Sequence, residues 1–167
     1  MKIRSLALAF ALASLSFAST PARAADDEIS IPETKSLYER LGGEAAITAV
    51  VDDFVGRAAS DPAVNFTRQG TARPWDATPE NVATLKKHLM QFLCMATGGP
   101  QTYEGRDMVT VHAGMAITDA EFNAIAADLA ASLAAFNVPK KETDELMAIA
   151  ASTRSQIVEK SEASSSY

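Results

Sequence analysis

Apolar residues recur at helical spacing in the stretch that follows Gly42-Gly43. Ile47, Val50, Val51, Phe54, Val55 and Ala58 fall at i, i+3, i+4, i+7, i+8 and i+11, a period of about 3.6 that puts all of them on one helix face. The pattern predicts a helix that closes near Asp61-Pro62, preceded by a short helical turn over 36–41. A second stripe, Val82, Leu85, Leu89, Phe92, Leu93 and Ala96, follows Thr78-Pro79-Glu80. There Thr is an N-cap, Pro takes the first helical position where no amide donor is needed, and Glu sits near the positive end of the dipole. Gly98-Gly99-Pro100 stops this helix.

Between these two helices TRQGTARPWDA carries Gly70 and Pro74 and is expected to be a loop, with Trp75 as a local anchor. After an extended link containing Tyr103, a short helical piece over 107–113 carries Met108, Val111 and His112 at i, i+3 and i+4. Thr118 and Glu121 form a capping box for the next helix, whose stripe is Phe122, Ile125, Leu129, Leu133 and Phe136. Asn137-Val138-Pro139 breaks it. Leu146, Met147, Ile149, Ala150, Thr153 and Ile157 then predict one last helix of about five turns. No period-two alternation is long enough to nominate a sheet, so the expected class is all-α.

The ends of the chain have a different composition. Lys2 and Arg4 precede an uncharged apolar run over 5–18, and Ala22-Arg23-Ala24 supplies a small-x-small cleavage pattern. Residues 1–24 therefore read as a secretory signal peptide, since the apolar run is shorter than the roughly 20 residues that span a bilayer. The expected destination is periplasmic or secreted. Residues 25–35 form a polar leader, 36–160 the folded domain, and 161–167 a low-complexity tail. Cleavage removes three positive charges and takes the formal net charge from -6 to -9. Such a chain is not expected to bind nucleic acid, or a membrane once the signal is gone.

Candidate chemistry rests on few residues. The single cysteine, Cys94, allows no internal disulfide, and its place on the helix face opposite Leu85 leaves open a bridge to a second copy, hence a monomer or weak dimer. Both histidines lie on apolar faces: His88 between Leu85 and Leu89, and His112 beside Met108 and Val111. A histidine so placed is ordinarily a hydrogen-bonded core residue, and a metal is the other way to satisfy its acceptor nitrogen. Zinc is a poor match, because there is no CxxC, no HExxH and no acidic residue on either stripe. Haem iron needs one or two axial histidines and a large apolar pocket, which Phe66, Leu85, Leu89, Phe92, Val111 and Met115 could line. No CxxCH is present, so such a haem b, one per chain, would be held non-covalently.

The order SLYERLGG, DDFVGR, LKKHLMQFL, ATGGP, YEGRDM, VHAGM and IT-DAEF resembles the group I truncated haemoglobins of bacteria over about residues 36–159. The resemblance implies a two-over-two helical sandwich, with haem between the 78–97 helix and the short segment bearing His112. It makes His112 the proximal iron ligand and Phe66 the ring packed on the haem face, and it puts Tyr103 and Arg106 near the propionates. It implies binding of dioxygen, nitric oxide or carbon monoxide. Val55 stands where many members carry a tyrosine that hydrogen-bonds dioxygen, and Leu85 and Leu89 offer no polar replacement. His88 stands where some members place a second axial histidine, so ligand-free iron is expected to be wholly or partly six-coordinate, with His88 on the distal side. Two other activities stay open on the sequence: turnover of nitric oxide or peroxide, and electron transfer through a bis-histidine haem to a redox partner.

Overall fold

Each of the six apolar positions of the 43–60 stripe is buried, and this single face organises the fold. The structure, a computed structural model, describes residues 35–159. The expected signal peptide, all of the leader except Lys35, and the 161–167 tail lie outside the described residues. In chain order the helices are α1 Leu37–Arg40, α2 Gly43–Ser60, α3 Pro79–Ala96, α4 Met108–His112, α5 Asp119–Ala135, α6 Lys140–Ser152 and α7 Arg154–Ile157. Among the described residues there is no strand, and no helix is long and apolar enough to cross a membrane.

Helix α2 packs against both α3 and α5, α5 packs against α6, and α4 packs against α7. The most deeply buried apolar residues of the core are Val51, Cys94 and Leu133, each at most 1% exposed. Capping follows the sequence closely. Ser36 with Glu39 and Thr118 with Glu121 close capping boxes on α1 and α5, and Thr78 accepts from Asn81 at the start of α3. Helix α1 docks on the end of α3 through Tyr38 N–H to Thr97 O at 2.9 Å. The approach requires a bare backbone at Gly99, where a Cβ would lie 2.6 Å from the Tyr38 ring and 2.8 Å from Cys94 O.

Three expectations are corrected. The last helix is not continuous: Thr153 N–H bonds to Ala150 O rather than four residues back, and its hydroxyl donates to the same carbonyl at 2.7 Å. The chain restarts at Arg154, whose guanidinium donates to Asp119 and Asn123 and lies 4.4 Å above the Phe122 ring. Phe136 does not join the buried stripe of α5. It is 46% exposed at the C-cap, and Ser132 takes a fully buried place instead. Cys94 is not available for a bridge between copies, because it is fully buried with its Sγ 3.7 Å from Met90 Sδ. Burial also raises the pKa of this thiol and keeps it protonated.

Charged groups fasten the loops to the helices. Arg40 pairs with Glu142 at 3.0 Å and with Glu145, tying α1 to α6. Arg68, 6% exposed, donates to Glu121 at 2.8 Å and ties the loop after α2 to the start of α5. Burial raises the Glu121 pKa, but the Thr118 amide and the Arg68 charge outweigh it and the net shift is downward. A carboxylate with a depressed folded pKa contributes stability that is present above its unfolded value of 4.5 and lost as pH falls through the folded value. Glu121→Ala, which strands the Arg68 charge, is expected to cost about 3 kcal/mol at neutral pH. Urea unfolding across pH 3–7 checks this: the loss of stability below about 4.5 should flatten in the variant.

Candidate functional site

Helix α4 is a single turn and a half that begins at an N-cap. Asp107 Oδ1 accepts from Thr110 N–H at 2.9 Å, and its bonds to Thr110 hold this carboxyl below its usual range. One turn on, His112 Nδ1 lies 2.8 Å from Met108 O. A carbonyl can only accept, so Nδ1 carries the proton and Nε2 is left with its lone pair. Nε2 has no hydrogen-bond partner among the described residues. Burial lowers the His112 pKa, against the raising effects of the Met108 carbonyl and Glu159, and the ring is neutral at pH 7.

His112 forms part of the wall of a half-open apolar cavity whose empty space, open solvent included, is about 1050 Å³. Helix α2 contributes Phe54, Val55 and Ala58, and α3 contributes Leu85, Leu89, Phe92 and Leu93. Met108 joins His112 from α4, α5 adds Phe122, Ile125, Ala126 and Leu129, and Phe66 enters from the loop after α2. Ala150, Thr153 and Ile157 complete the wall near the chain's end. The histidine ring is thus the one titratable side chain in a wall otherwise made of apolar groups and a threonine. Leu85, Leu89, Phe92 and Ile125 are only partly buried: they pack against the core while also lining this cavity.

The structure brings together Val55, Phe66, Leu85, Leu89, Phe92, Met108 and His112 in this one wall. Val111 and Met115 are half-buried but outside it. His88 is also outside it: its ring stands edge-on to Tyr103, with centroids 6.0 Å apart at 74°. Tyr103 packs in the same manner on Phe92 at 5.9 Å and donates its hydroxyl to Arg106 O at 2.8 Å, while the Arg106 side chain is exposed. Among the wall residues that the sequence did not single out are Phe54, Ala58, Leu93, Ile125 and Leu129. They lie on the recognised stripes, but periodicity does not distinguish a side chain facing packed neighbours from one facing a cavity.

A neutral imidazole with a free lone pair at an apolar cavity, on helices in this order, agrees with what comparison shows. Residues 36–159 match the bacterial-like globin family. The chain belongs to this family. The globin is 34% identical over 115 residues to the group 1 truncated hemoglobin GlbN of Mycolicibacterium paratuberculosis, an alignment covering 69% of this chain and 78% of that relative. It superposes on the truncated hemoglobin of Tetrahymena pyriformis in its Fe(III) form with a TM-score of 0.65 at 30% identity, covering 75% of this chain and 100% of the other. It is similarly close to the 2/2 hemoglobin of Synechococcus sp. in the cyanomet state with covalently attached heme: TM-score 0.64, 31% identity, and 75% and 100% of the two chains. In this globin the two layers are the α2/α3 and α5/α6 pairs, the truncated-globin arrangement of an all-α fold.

Phe66 is held in the wall by Trp75, whose ring meets it edge-on at 5.3 Å and 81°, and Trp75 is itself anchored by its amide to Thr67 O at 2.8 Å. Such aromatic pairs couple by about 0.5–1.5 kcal/mol beyond their burial. A double-mutant cycle of Phe66→Leu and Trp75→Leu, read by chemical unfolding, is expected to return a coupling of about 1 kcal/mol.

Proposed function

We propose that this globin holds one non-covalent haem b in the α3/α4 cavity with His112 Nε2 on the iron, and that it binds diatomic gases there. The observation that carries the reading is the His112 Nε2 lone pair, fixed by the Nδ1 bond to Met108, without a hydrogen-bond partner among the described residues and set in an apolar wall. The fit is chemical as well as spatial, because a neutral imidazole is a haem ligand and a large flat apolar group matches walls built from Leu85, Leu89, Phe92, Ile125 and Leu129. When bound, the haem supplies an iron with a coordination position for dioxygen, nitric oxide or carbon monoxide. The reconstituted protein should show a strong Soret band, and His112→Ala should lose tight haem retention by transfer to an acceptor apoglobin. Wild-type retention in that variant would overturn the assignment.

The gas preference follows from side chains around the cavity. Val55, Leu85 and Leu89 contribute hydrocarbon and no donor. Dioxygen, which gains most from a donated hydrogen bond, forgoes about 0.5–1.5 kcal/mol, so nitric oxide and carbon monoxide are favoured over oxygen storage. Val55→Tyr is expected to slow dioxygen dissociation by up to about tenfold, with a much smaller effect on carbon monoxide. Laser photolysis and stopped-flow mixing measure both.

His88 is occupied by its edge-on contact with Tyr103. Service as a second axial ligand requires the ring to leave that contact, and the reading here is a five-coordinate ferrous iron. The optical spectrum of the reduced protein should be high-spin and unchanged by His88→Leu. A low-spin form abolished by that substitution would establish His88 as the second ligand.

Export rests on Lys2, Arg4, the apolar run over 5–18 and Ala22-Arg23-Ala24. Expressed in a bacterium with its own leader, the protein is expected in the periplasmic or secreted fraction with Ala25 as its first residue, as N-terminal sequencing would report.

A further inference from the structure

Helix α4 carries the histidine on which the site depends, yet none of its five residues is buried. A helix this short does not hold itself, and apolar packing alone does not locate it. Polar groups from elsewhere in the chain hold its C-terminal end. In a continuing helix Thr110 O would accept from Gly114 N–H. That bond is divided between two distant residues: Arg73 Nη1 donates to Thr110 O at 3.1 Å, and Glu159 Oε1 accepts from Gly114 N–H at 2.5 Å. Each residue then takes a second group of the same turn. Arg73 Nη1 also donates to Ala113 O at 3.2 Å, and Glu159 Oε2 also accepts from Ala116 N–H at 2.6 Å.

The turn so held is unusual backbone. Gly114 has φ +80° and Ala116 φ +52°, both in the left-handed region, and the second is carried by a residue with a Cβ. The Arg73 stem lies against this turn, where a Cβ on Gly114 would meet Arg73 Cγ at 3.2 Å and Cδ at 3.3 Å. Glu159 is itself tied back by its amide to Ile117 O at 3.0 Å. The grips come from two separate parts of the chain, the loop that carries Phe66 and Trp75 and the segment after α7.

We propose that Arg73 and Glu159 are positioning residues for His112, jointly ending α4 at the histidine and setting the angle at which Nε2 meets the iron. The proposal rests on the reading that His112 is the iron ligand. Outer partners of a metal-bound histidine typically influence metal affinity by 10–100-fold, and these two act one step further out, on the backbone that carries the ring.

The test uses the reconstituted full-length protein and the variants Arg73→Ala, Arg73→Lys and Glu159→Gln. The iron–histidine stretching band is read by resonance Raman of the ferrous form, and haem loss by transfer to an acceptor apoglobin. Glutamine presents one acceptor and one NH2 group, so Glu159→Gln retains only one of the two amide bonds. Arg73→Ala and Glu159→Gln are each expected to shift or broaden the band and to speed haem loss roughly tenfold. Arg73→Lys keeps the stem and a donor and should recover part of both. Should Arg73→Ala fail to fold, the other two variants carry the test. An unchanged band in Glu159→Gln, with faster hydrogen exchange at the Gly114 and Ala116 amides, would overturn the proposal by showing that Glu159 orders the turn without reaching the ligand. A wild-type protein whose ferrous iron is high-spin and five-coordinate, yet lacks the iron–histidine band, would instead overturn the His112 reading itself; were the wild type low-spin, the band is read in the His88→Leu background.

Discussion

The site depends on where one proton sits. The Met108 carbonyl takes the Nδ1 proton of His112, and every property of Nε2 follows from that bond. With Nδ1 protonated, Nε2 is a lone-pair donor, and burial keeps the ring from picking up a second proton. A histidine on an extended segment would have no carbonyl one turn behind it. The bond therefore requires α4, and α4 requires its cap at Asp107 and the polar grips on the turn after it. The histidine's chemistry is local, while its orientation is assembled from several parts of the chain.

The same molecule contains two kinds of apolar surface. Around Val51, Cys94 and Leu133 the helices interlock and side chains are fully buried. On the His112 side the inner faces of α2, α3 and α5 border a cavity walled in part by Leu85, Leu89, Phe92 and Ile125. Apolar surface facing open space gains nothing from burial until that space is filled. A bound group that fills it is thus linked to folding, since whatever binds the native state and not the unfolded chain stabilises the former. The solid half lets the fold form, and the open half gives it a use.

Buried charge completes the frame without entering the cavity wall. Arg68 with Glu121 holds the loop that carries Phe66, and Arg40 with Glu142 holds α1 against α6. Both pairs bridge segments far apart in sequence. Neither pair is legible in the sequence, because a lone arginine, in a loop like Arg68 or at the end of α1 like Arg40, and a glutamate in a first helical turn carry no mark of their partner.

The sequence by itself determined what depends on neighbours a few residues away. The stripe of α2 predicted all six of its buried residues, and Thr78 and Thr118 cap the helices they precede. The histidine-bearing turn is visible from Met108, Val111 and His112, and the order of motifs by itself points to the globin family. Tertiary structure alone decided what each stripe faces. Cys94 was expected on an outer face and is fully buried, Phe136 was expected inside and is half exposed, and the last helix breaks at Thr153 so that Arg154 reaches Asp119. His88 meets Tyr103 rather than the cavity. Helical periodicity states which side chains share a face, because that is set by the backbone's own repeat. What lies across that face, whether core, cavity, ring or solvent, is set by segments tens of residues away, and no local pattern contains it.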